Sequence, residues 1–366
     1  MMDGACGIDE LRYITASASE SVRLLLASIV SDKAWSQIDM KYGARYLVSL
    51  RGAGHLKSAL QASLVPASRC KHPGALLDTL QHWSDSYLRS DGPCLTGHRS
   101  LANLGYMRSP LVIAQPEQLT AVAQVSGLFN KQGIAELRRA CYQLEAGSST
   151  SDWIISNRTR AATRSSTLIR EMMDSRAFLL AVSKIAGVPL VPHPFLRARS
   201  QVNYFYPPQA LHDRAQIGMW HTDGTSFVLN IMLSEPSEYE GGEFVYFEGP
   251  VERFDVASLN DNVRSCGVKA SGDAVYIYGS RVFHGVRPLT QGRRMSLVLS
   301  FHCPYSQADV NKFWHLASDD GVLRTIKPWF QLKRDLVRPA SEQYRRLGID
   351  PITFGELVPL QLQGAR

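Results

Sequence analysis

The chain has 366 residues, of which 45% are hydrophobic, and its formal net charge is +7. This length allows one large domain or two ordinary ones, each with a buried core. The 40 basic residues are scattered among 33 acidic ones, and no basic run is interleaved with aromatics, which disfavours nucleic-acid binding. The densest basic stretch has helical spacing and is predicted to be the solvated face of a helix; it comprises Arg158, Arg160, Arg164 and Arg170.

The cysteines and the N-terminal segment indicate the compartment. Six cysteines are spread without a Cys-x-x-Cys pair, which argues against a disulfide framework and a zinc ribbon. Residues 1–7 carry neither a basic stretch nor an apolar stretch of the kind found in secretory signals. No apolar run approaches the roughly 20 residues of a membrane span. We therefore expect a cytoplasmic protein in a reducing environment, without a membrane partner.

Predicted helices occupy most of the first half of the chain. Amphipathic periodicity predicts helices at 21–26, 75–80 and 118–123, and a longer one from about Thr159 to Ile185 that ends near Gly187. From Arg197 the pattern changes to short β-rich runs separated by Pro, Gly, Asn and Ser. These runs are 201–206, 227–233, 243–247, 274–278 and 295–303. Helical patterns return at 310–317 and 329–336.

These elements predict an α+β fold in three parts. A mainly helical region, 1–190, is expected to pack on a β-core at 191–305, and a helical extension follows at 306–366. Several short strands in a row need cover on both faces, so the core should be a closed or double-sheet structure.

A metal-ligand pattern lies within the predicted core. In an extended segment, positions i and i+2 point the same way, so His221 and Asp223 can bind one ion from one strand end. His284 follows the run 274–278 through a turn and can complete the set. Two histidines and one carboxylate form the facial triad of non-heme Fe(II) oxygenases. A hydrolytic Zn(II) site is the alternative, and the same three residues would be catalytic.

Arg294 opens a strand with two different faces. Alternation puts Arg294, Ser296, Val298, Ser300 and His302 on one face. The other face has only apolar side chains, those of Met295, Leu297, Leu299 and Phe301. The apolar face should pack beneath a helix or a second sheet, and the polar face should line a wet cavity. A guanidinium there is suited to gripping a carboxylate with two hydrogen bonds.

Residues 284–297 resemble the His-x-Val-x-x-(Val/Leu)-x-x-Gly-x-Arg-x-Ser-Leu signature of Fe(II)/2-oxoglutarate-dependent dioxygenases. The steps Gly241-Gly242-Glu243 and Gly272-Asp273 are similar to that family as well, and the resemblance covers about 187–304. It implies a double-stranded β-helix, a relative of the jelly roll.

The resemblance also implies ligands for the site residues. Fe(II) would be held by His221, Asp223 and His284. Arg294 would pair with the C5 carboxylate of 2-oxoglutarate, with Ser296 as a second contact. In relatives a Tyr before a Pro reaches the same carboxylate; Tyr206 fits this pattern, Tyr204 competes with it, and both could equally be core aromatics.

The implied activity is hydroxylation of a C–H bond with O₂, with release of succinate and CO₂. Related halogenases lack the carboxylate ligand, so Asp223 favours hydroxylation, desaturation or cyclisation over halogenation. The ten residues from His284 to Arg294 are fewer than in the nucleic-acid demethylases and are shared with protein prolyl hydroxylases.

The flanking helical regions favour a small-molecule substrate, such as a free amino acid or a metabolite derived from one. A peptidyl hydroxylase of the prolyl-hydroxylase type and a non-catalytic β-barrel binding protein are the alternatives. The candidate substrate contacts are Trp220, Thr222, Asn203, Arg197, Arg199 and His302. Trp220 and Thr222 alternate to the face opposite the ligands, and His302 lies deep along its strand and is not predicted to bind metal.

Overall fold

The computed structural model describes residues 81–151, 154–207, 218–254, 262–306, 317 and 322–357. The helices predicted at 21–26 and 75–80 lie outside these ranges, as does nearly all of 310–317. None of the helices in the described ranges combines the length and the hydropathy that a transmembrane span requires.

The fold contains fifteen strands and seven α-helices within the described residues. The strands are β1 Cys94–Ser100, β2 Thr120–Ser126, β3 Ser149–Ser151, β4 Ile154–Arg160, β5 Val191–Pro192, β6 Ser200–Phe205, β7 Gly218–His221, β8 Phe227–Met232, β9 Tyr239–Gly241, β10 Phe244–Phe247, β11 Val263–Cys266, β12 Ala274–Tyr278, β13 His284–Val286, β14 Leu289–Gly292 and β15 Arg294–His302. The helices are α1 Lys131–Gln143, α2 Ala162–Ser165, α3 Thr167–Asp174, α4 Arg176–Ala186, α5 Leu196–Arg199, α6 Val322–Leu336 and α7 Ala340–Leu347.

One antiparallel sheet contains most of the strands and has the order β1-β2-β12-β8-β15-β6-β4-β7-β13-β10-β11. One half of the core consists of β12, β8, β15 and β6, and the other half consists of β7, β13, β10 and β11. The strand β4 joins the two halves: its residues 157–160 pair with β6, and its Ile154 pairs with Gly218 of β7. This four-plus-four arrangement is the double-stranded β-helix of the predicted α+β fold.

The apolar face of β15 packs beneath helices, as the alternation predicts. Met295, Leu297 and Leu299 are fully buried in the main core together with helix α4. The rings of Phe178 in α4 and Phe301 in β15 lie 6.2 Å apart. The opposite face of β15 is therefore the inner face of the β-helix.

The prediction of a mainly helical region before residue 190 is wrong for 94–160, which contributes four strands to the sheet. Residues 118–123 were expected to form a helix, but β2 begins at Thr120. Val122 and Ala123 are both fully buried, because β2 lies between β1 and β12 with both faces covered. A short apolar run of this kind fits a buried strand as well as a helix. The boundary at 190 remains a prediction.

The single helix predicted from Thr159 to Ile185 is in fact the end of β4 followed by three helices. Ser166 caps α3 by accepting a hydrogen bond from the Ile169 amide, and Ser175 caps α4 through the Phe178 amide. A capping serine starts a new helix because its side chain satisfies the amides that open the first turn. The predicted end near Gly187 is confirmed: Gly187 has φ +82°.

The prediction of a solvated arginine face is wrong for the first two arginines. Arg158 and Arg160 lie on β4, and Arg158 is only 6% exposed. Their spacing of two residues puts both on one face of the strand, whereas Arg164 and Arg170 follow on α2 and α3. In the register of β4, β6 and β15, Arg158 lies opposite Asn203, and Asn203 lies opposite Ser296. Arg158 therefore belongs to the inner face.

Candidate metal and co-substrate site

The two histidines meet because their strands pair. His221 ends β7, His284 begins β13, and the antiparallel register places them opposite each other. Their ring centroids are 4.2 Å apart. Directly opposed residues in an antiparallel pair point to the same side, so both imidazoles face the interior of the β-helix.

Asp223 completes the cluster from the loop after β7. Its amide donates a hydrogen bond to the Gly279 carbonyl at 2.7 Å, which anchors the loop against the end of β12. Its Oδ1 lies 3.3 Å from Nε2 of His221 and 3.7 Å from Nε2 of His284. Adjacent ligands with bonds of about 2.1 Å around an octahedral ion are about 3 Å apart. The three donor atoms, all within 4.8 Å of one another, match a facial set.

The orientation of His284 is set by two neighbours. Its Nδ1 is 3.0 Å from the carbonyl oxygen of Val282. A carbonyl can only accept, so Nδ1 carries the proton and Nε2 is left as the ligand atom. The ring of Phe244 stacks on the imidazole at 5.3 Å. This hydrogen bond and this stacking hold the ring in a ligating orientation.

A buried guanidinium lies near this cluster. Arg294 is 1% exposed, and its guanidinium carbon is 4.9 Å from the centre of the Phe205 ring. Gly242 leaves room for it, since a Cβ there would lie 3.2 Å from Cδ of Arg294. Gly242 precedes Phe244 by two residues, a span of at most about 7 Å. Arg294 therefore packs against the start of the segment that leads to the ring stacked on His284.

The electrostatics of Arg294 suit an anionic ligand. Burial lowers the pKa of Arg294 to about 10, and nearby Tyr239 and Glu243 oppose that shift. The guanidinium stays charged at neutral pH, but its Nε and Nη1 are buried without a hydrogen-bond partner among the described residues. Buried polar groups are nearly always hydrogen-bonded. A carboxylate bound in this pocket would supply an acceptor that the guanidinium lacks.

Ser296 and Asn203 extend the same polar surface. They lie opposite each other in the pairing of β15 with β6. Ser296 Oγ and Asn203 Oδ1 are both buried without a hydrogen-bond partner among the described residues. The residues of this chain therefore fit a dicarboxylate next to a divalent metal ion.

Neither tyrosine proposed for the co-substrate lies in this pocket. Tyr204 pairs with Met295, which places it on the core face, and its hydroxyl donates to the carbonyl of Cys141 at 2.5 Å. Tyr206 is 40% exposed and donates to Glu145. Strand alternation separates both tyrosines from Phe205, the residue beside Arg294. The positions of both tyrosines therefore disagree with the predicted contact to the co-substrate.

The predicted substrate contacts are dispersed. Trp220 packs outside the β-helix, stacked on Phe283 at 5.9 Å, and Thr222 is 3% exposed. Arg199 donates to the His193 carbonyl at 2.8 Å, on the four-residue helix α5 that also carries Arg197. His302 is fully buried beside β5. Among the six candidates, only Asn203 is placed by the strand register next to Ser296.

Four residues of the site were missed by sequence reasoning. Tyr239 lies close enough to Arg294 to affect its pKa, Phe244 supports His284, Gly279 contacts the Asp223 loop, and Arg158 lies on the inner face. Tyr239 and Phe244 flank the Gly241-Gly242-Glu243 step, and this position was the available signal. Nothing local marks Arg158 or Gly279, because their contacts depend on strand pairing.

Comparison with known proteins adds the following. No family model matches the chain. A PKHD-type hydroxylase from Shewanella sp. (strain ANA-3) is 25% identical over 186 residues, which cover 47% of this chain and 73% of that protein. The PKHD-type hydroxylase of Shewanella oneidensis is 26% identical over 188 residues, covering 47% of this chain and 74% of the relative.

Two solved structures are similar at lower identity. The non-heme α-ketoglutarate-dependent epimerase SnoN from nogalamycin biosynthesis has a TM-score of 0.40 and 16% identity, over 50% of this chain and 79% of that chain. HygX from Streptomyces hygroscopicus, solved with nickel, 2-oxoglutarate and hygromycin B, has a TM-score of 0.37 and 16% identity. The match covers 50% of this chain and 84% of HygX.

The strand order, the triad with its buried arginine, and the curated hydroxylase relatives agree with one another. Together they support membership of the Fe(II)/2-oxoglutarate-dependent oxygenase superfamily and a dioxygenase activity.

Proposed function

We propose that this oxygenase hydroxylates a C–H bond of a small molecule that carries a carboxylate, such as a free amino acid or a metabolite derived from one. Bound Fe(II) with 2-oxoglutarate supplies the oxidising chemistry, and succinate and CO₂ are released. His221, Asp223 and His284 would hold the metal, and Arg294 with Ser296 would bind the distal carboxylate of 2-oxoglutarate. The protein contributes ligation, orientation and exclusion of water.

The buried position of Arg158 is the observation that supports this substrate class. Arg158 is 6% exposed and lies in one row with Asn203 and Ser296. A second cationic group on the inner face, beyond Arg294, suits the carboxylate of a free amino acid. A residue within a peptide chain has no main-chain carboxylate to offer.

A peptidyl hydroxylase is the second candidate, and the PKHD-type relatives are the observation that favours it. The two candidates are separated by measuring succinate formation in air with 2-oxoglutarate and either free amino acids or proline-containing peptides. We expect turnover with free carboxylates, a product heavier by one oxygen, and a raised KM in Arg158→Met. Turnover with peptides alone would reject the small-molecule proposal.

The metal must also be tested, because a hydrolytic Zn(II) enzyme or a binding protein could use the same three side chains. Anaerobic addition of Fe(II) and 2-oxoglutarate should produce a visible charge-transfer band, and its absence would reject the oxygenase mechanism. Succinate formation should be abolished in His221→Ala. Succinate formation that persists in this variant would show that the triad is not the site of the reaction.

We also propose a cytoplasmic location. Within the described residues, Cys94, Cys141 and Cys266 are free thiols. Free thiols are typical of a reducing compartment, which also keeps iron in the ferrous state.

A further inference from the structure

Gly279, the residue directly after β12, lies against the carboxylate of Asp223. A Cβ placed on Gly279 would be 2.4 Å from Oδ2 of Asp223, 2.8 Å from its Cβ and 2.9 Å from the carbonyl oxygen of Thr225. Real Cβ atoms essentially never come closer than 3.0 Å to such neighbours. Any side chain at this position would therefore collide with the metal carboxylate.

The backbone conformation does not explain the glycine. The φ angle of Gly279 is not positive, so an L-amino acid could adopt this φ without strain. Glycine is needed here for space, because the space is occupied mainly by Asp223 and at one side by the Thr225 carbonyl.

Two backbone hydrogen bonds keep the segments from moving apart. The Asp223 amide donates to the Gly279 carbonyl at 2.7 Å, and the Gly279 amide donates to the Ser226 carbonyl at 2.8 Å. They tie the loop from Asp223 to Ser226 to both sides of one residue. Moving the backbone away from a new methyl group would break at least one of these bonds, so the carboxylate would have to move instead.

We propose that Gly279 is a positioning residue for the metal centre: the absence of a side chain there sets the position of the Asp223 carboxylate relative to the two histidines. The proposal rests on the metal site assigned above. Gly279 touches neither metal nor substrate and acts only through Asp223. Substitution should convert a two-histidine, one-carboxylate site into one with the histidines alone.

The test is the affinity of Gly279→Ala for Co(II) in anaerobic calorimetry, with no turnover required. Loss of a group that orients a metal ligand typically costs about 10–100-fold in metal affinity, and we expect a dissociation constant raised by that factor. Gly267→Ala is the matched control, because Gly267 also lacks a positive φ and a Cβ there would have nothing within 4 Å. Its affinity should equal that of the wild type.

A double-mutant cycle separates positioning from general damage. Asp223→Gly removes the carboxylate and the Cβ that a methyl group at 279 would meet. In that background, Gly279→Ala should not weaken Co(II) binding further. An equal loss in both backgrounds, or a Gly279→Ala affinity within twofold of the wild type, would overturn the proposal.

Stability provides a second readout if the single variant folds poorly. The double variant Asp223→Gly/Gly279→Ala should then melt at a higher temperature than Gly279→Ala alone, because two of the three close contacts of the new methyl group, those with Asp223, have been removed. A double variant that is no more stable than the single one would contradict the proposal. Wild-type protein that binds no Co(II) would instead reject the assigned metal site itself.

Discussion

The ring of Phe244 stacks on that of His284, with centroids 5.3 Å apart and planes 23° from parallel. His284 is thereby held between Phe244 on one side and the paired His221 on the other. Replacing Phe244 with Leu keeps an apolar side chain but removes the stacked ring. An aromatic pair contributes about 0.5–1.5 kcal/mol beyond its buried area, so Co(II) binding should weaken by up to about tenfold.

Phe247 provides the matched control for this prediction. It lies on the same strand, is 3% exposed compared with 4% for Phe244, and packs on the opposite face against Phe254. Phe247→Leu should lower the melting temperature about as much as Phe244→Leu but leave metal affinity unchanged. Equal metal affinity in the two variants would show that the stacking does not orient His284.

Two adjacent arginines, Arg293 between β14 and β15 and Arg294 at the start of β15, should differ sharply in co-substrate binding. Arg294 faces the inner pocket, whereas Arg293 pairs with Glu145 and lies 4.8 Å from the centre of the Tyr142 ring on the outside. Loss of one partner from a buried charged pair costs about 2–5 kcal/mol. Arg294→Met should therefore raise the dissociation constant for 2-oxoglutarate at least about 30-fold, and Arg293→Met should not. The charge-transfer titration measures both, and similar constants for both variants would argue against the Arg294 pocket.

Replacing Gly242 with Ala should weaken 2-oxoglutarate binding, beyond any effect of its positive φ on stability. Gly242 and Gly348 share φ +71°, but only at Gly242 would a Cβ meet neighbours, with Leu289 Cδ1 at 2.8 Å and Arg294 Cδ at 3.2 Å. Both alanine variants pay about 1–2 kcal/mol for the left-handed backbone. Only Gly242→Ala should also weaken 2-oxoglutarate binding. Equal effects on binding would assign Gly242 a purely conformational role.

The stability of the protein should depend on pH through Asp273. Burial raises the pKa of this carboxyl, although the amides of Lys269 and Ala270 donate to it and oppose the shift. A pKa raised on folding means that the native state binds the proton more tightly, so this group's contribution to stability falls as pH rises above the ordinary value of 3.8.

Asp273→Asn keeps an oxygen acceptor and removes the charge. We expect thermal melts between acid and neutral pH to show that the melting temperature of the variant, relative to that of the wild type, rises as pH increases above 3.8. The difference should then become constant once Asp273 is fully ionised in the wild type. If the melting temperature of the variant instead falls relative to that of the wild type as pH rises, the two amide hydrogen bonds outweigh the cost of burial.

Local patterns predicted the core strands well, and they singled out three potential metal ligands that the fold brings together, because both are encoded over a few residues. The alternation from Arg294 to His302 correctly separated a helix-covered face from an inner face. The run at 118–123 was misassigned because burial on both faces erases the period that distinguishes strand from helix. This error affected the predicted architecture, since β2 is a strand of the main sheet and pairs with β12.

Contacts between distant strands could not be predicted in this way. Tyr204 and Tyr206 matched a local Tyr-Pro pattern, yet the strand register turns both away from Arg294 and leaves Phe205 beside it. The spacing of Arg158 and its neighbouring arginines predicts a solvated helix face, whereas the pairing of Arg158 with Asn203 places it on the inner face of the sheet. In both cases the deciding information is which residue lies opposite, and a single sequence does not contain it.

The insertion of β4 between β6 and β7 has a consequence for how this enzyme is made and engineered. An excised segment spanning only 191–305 would leave β6 and β7 with unpaired edges and would also remove β2 from the side of β12. Exposed strand edges promote aggregation, and pairings such as Val122 with Ile277 must form late in synthesis and slow folding. A minimal catalytic fragment must therefore begin before β2, and a ribosome-bound chain cannot complete the β-helix until β13 and β15 have emerged.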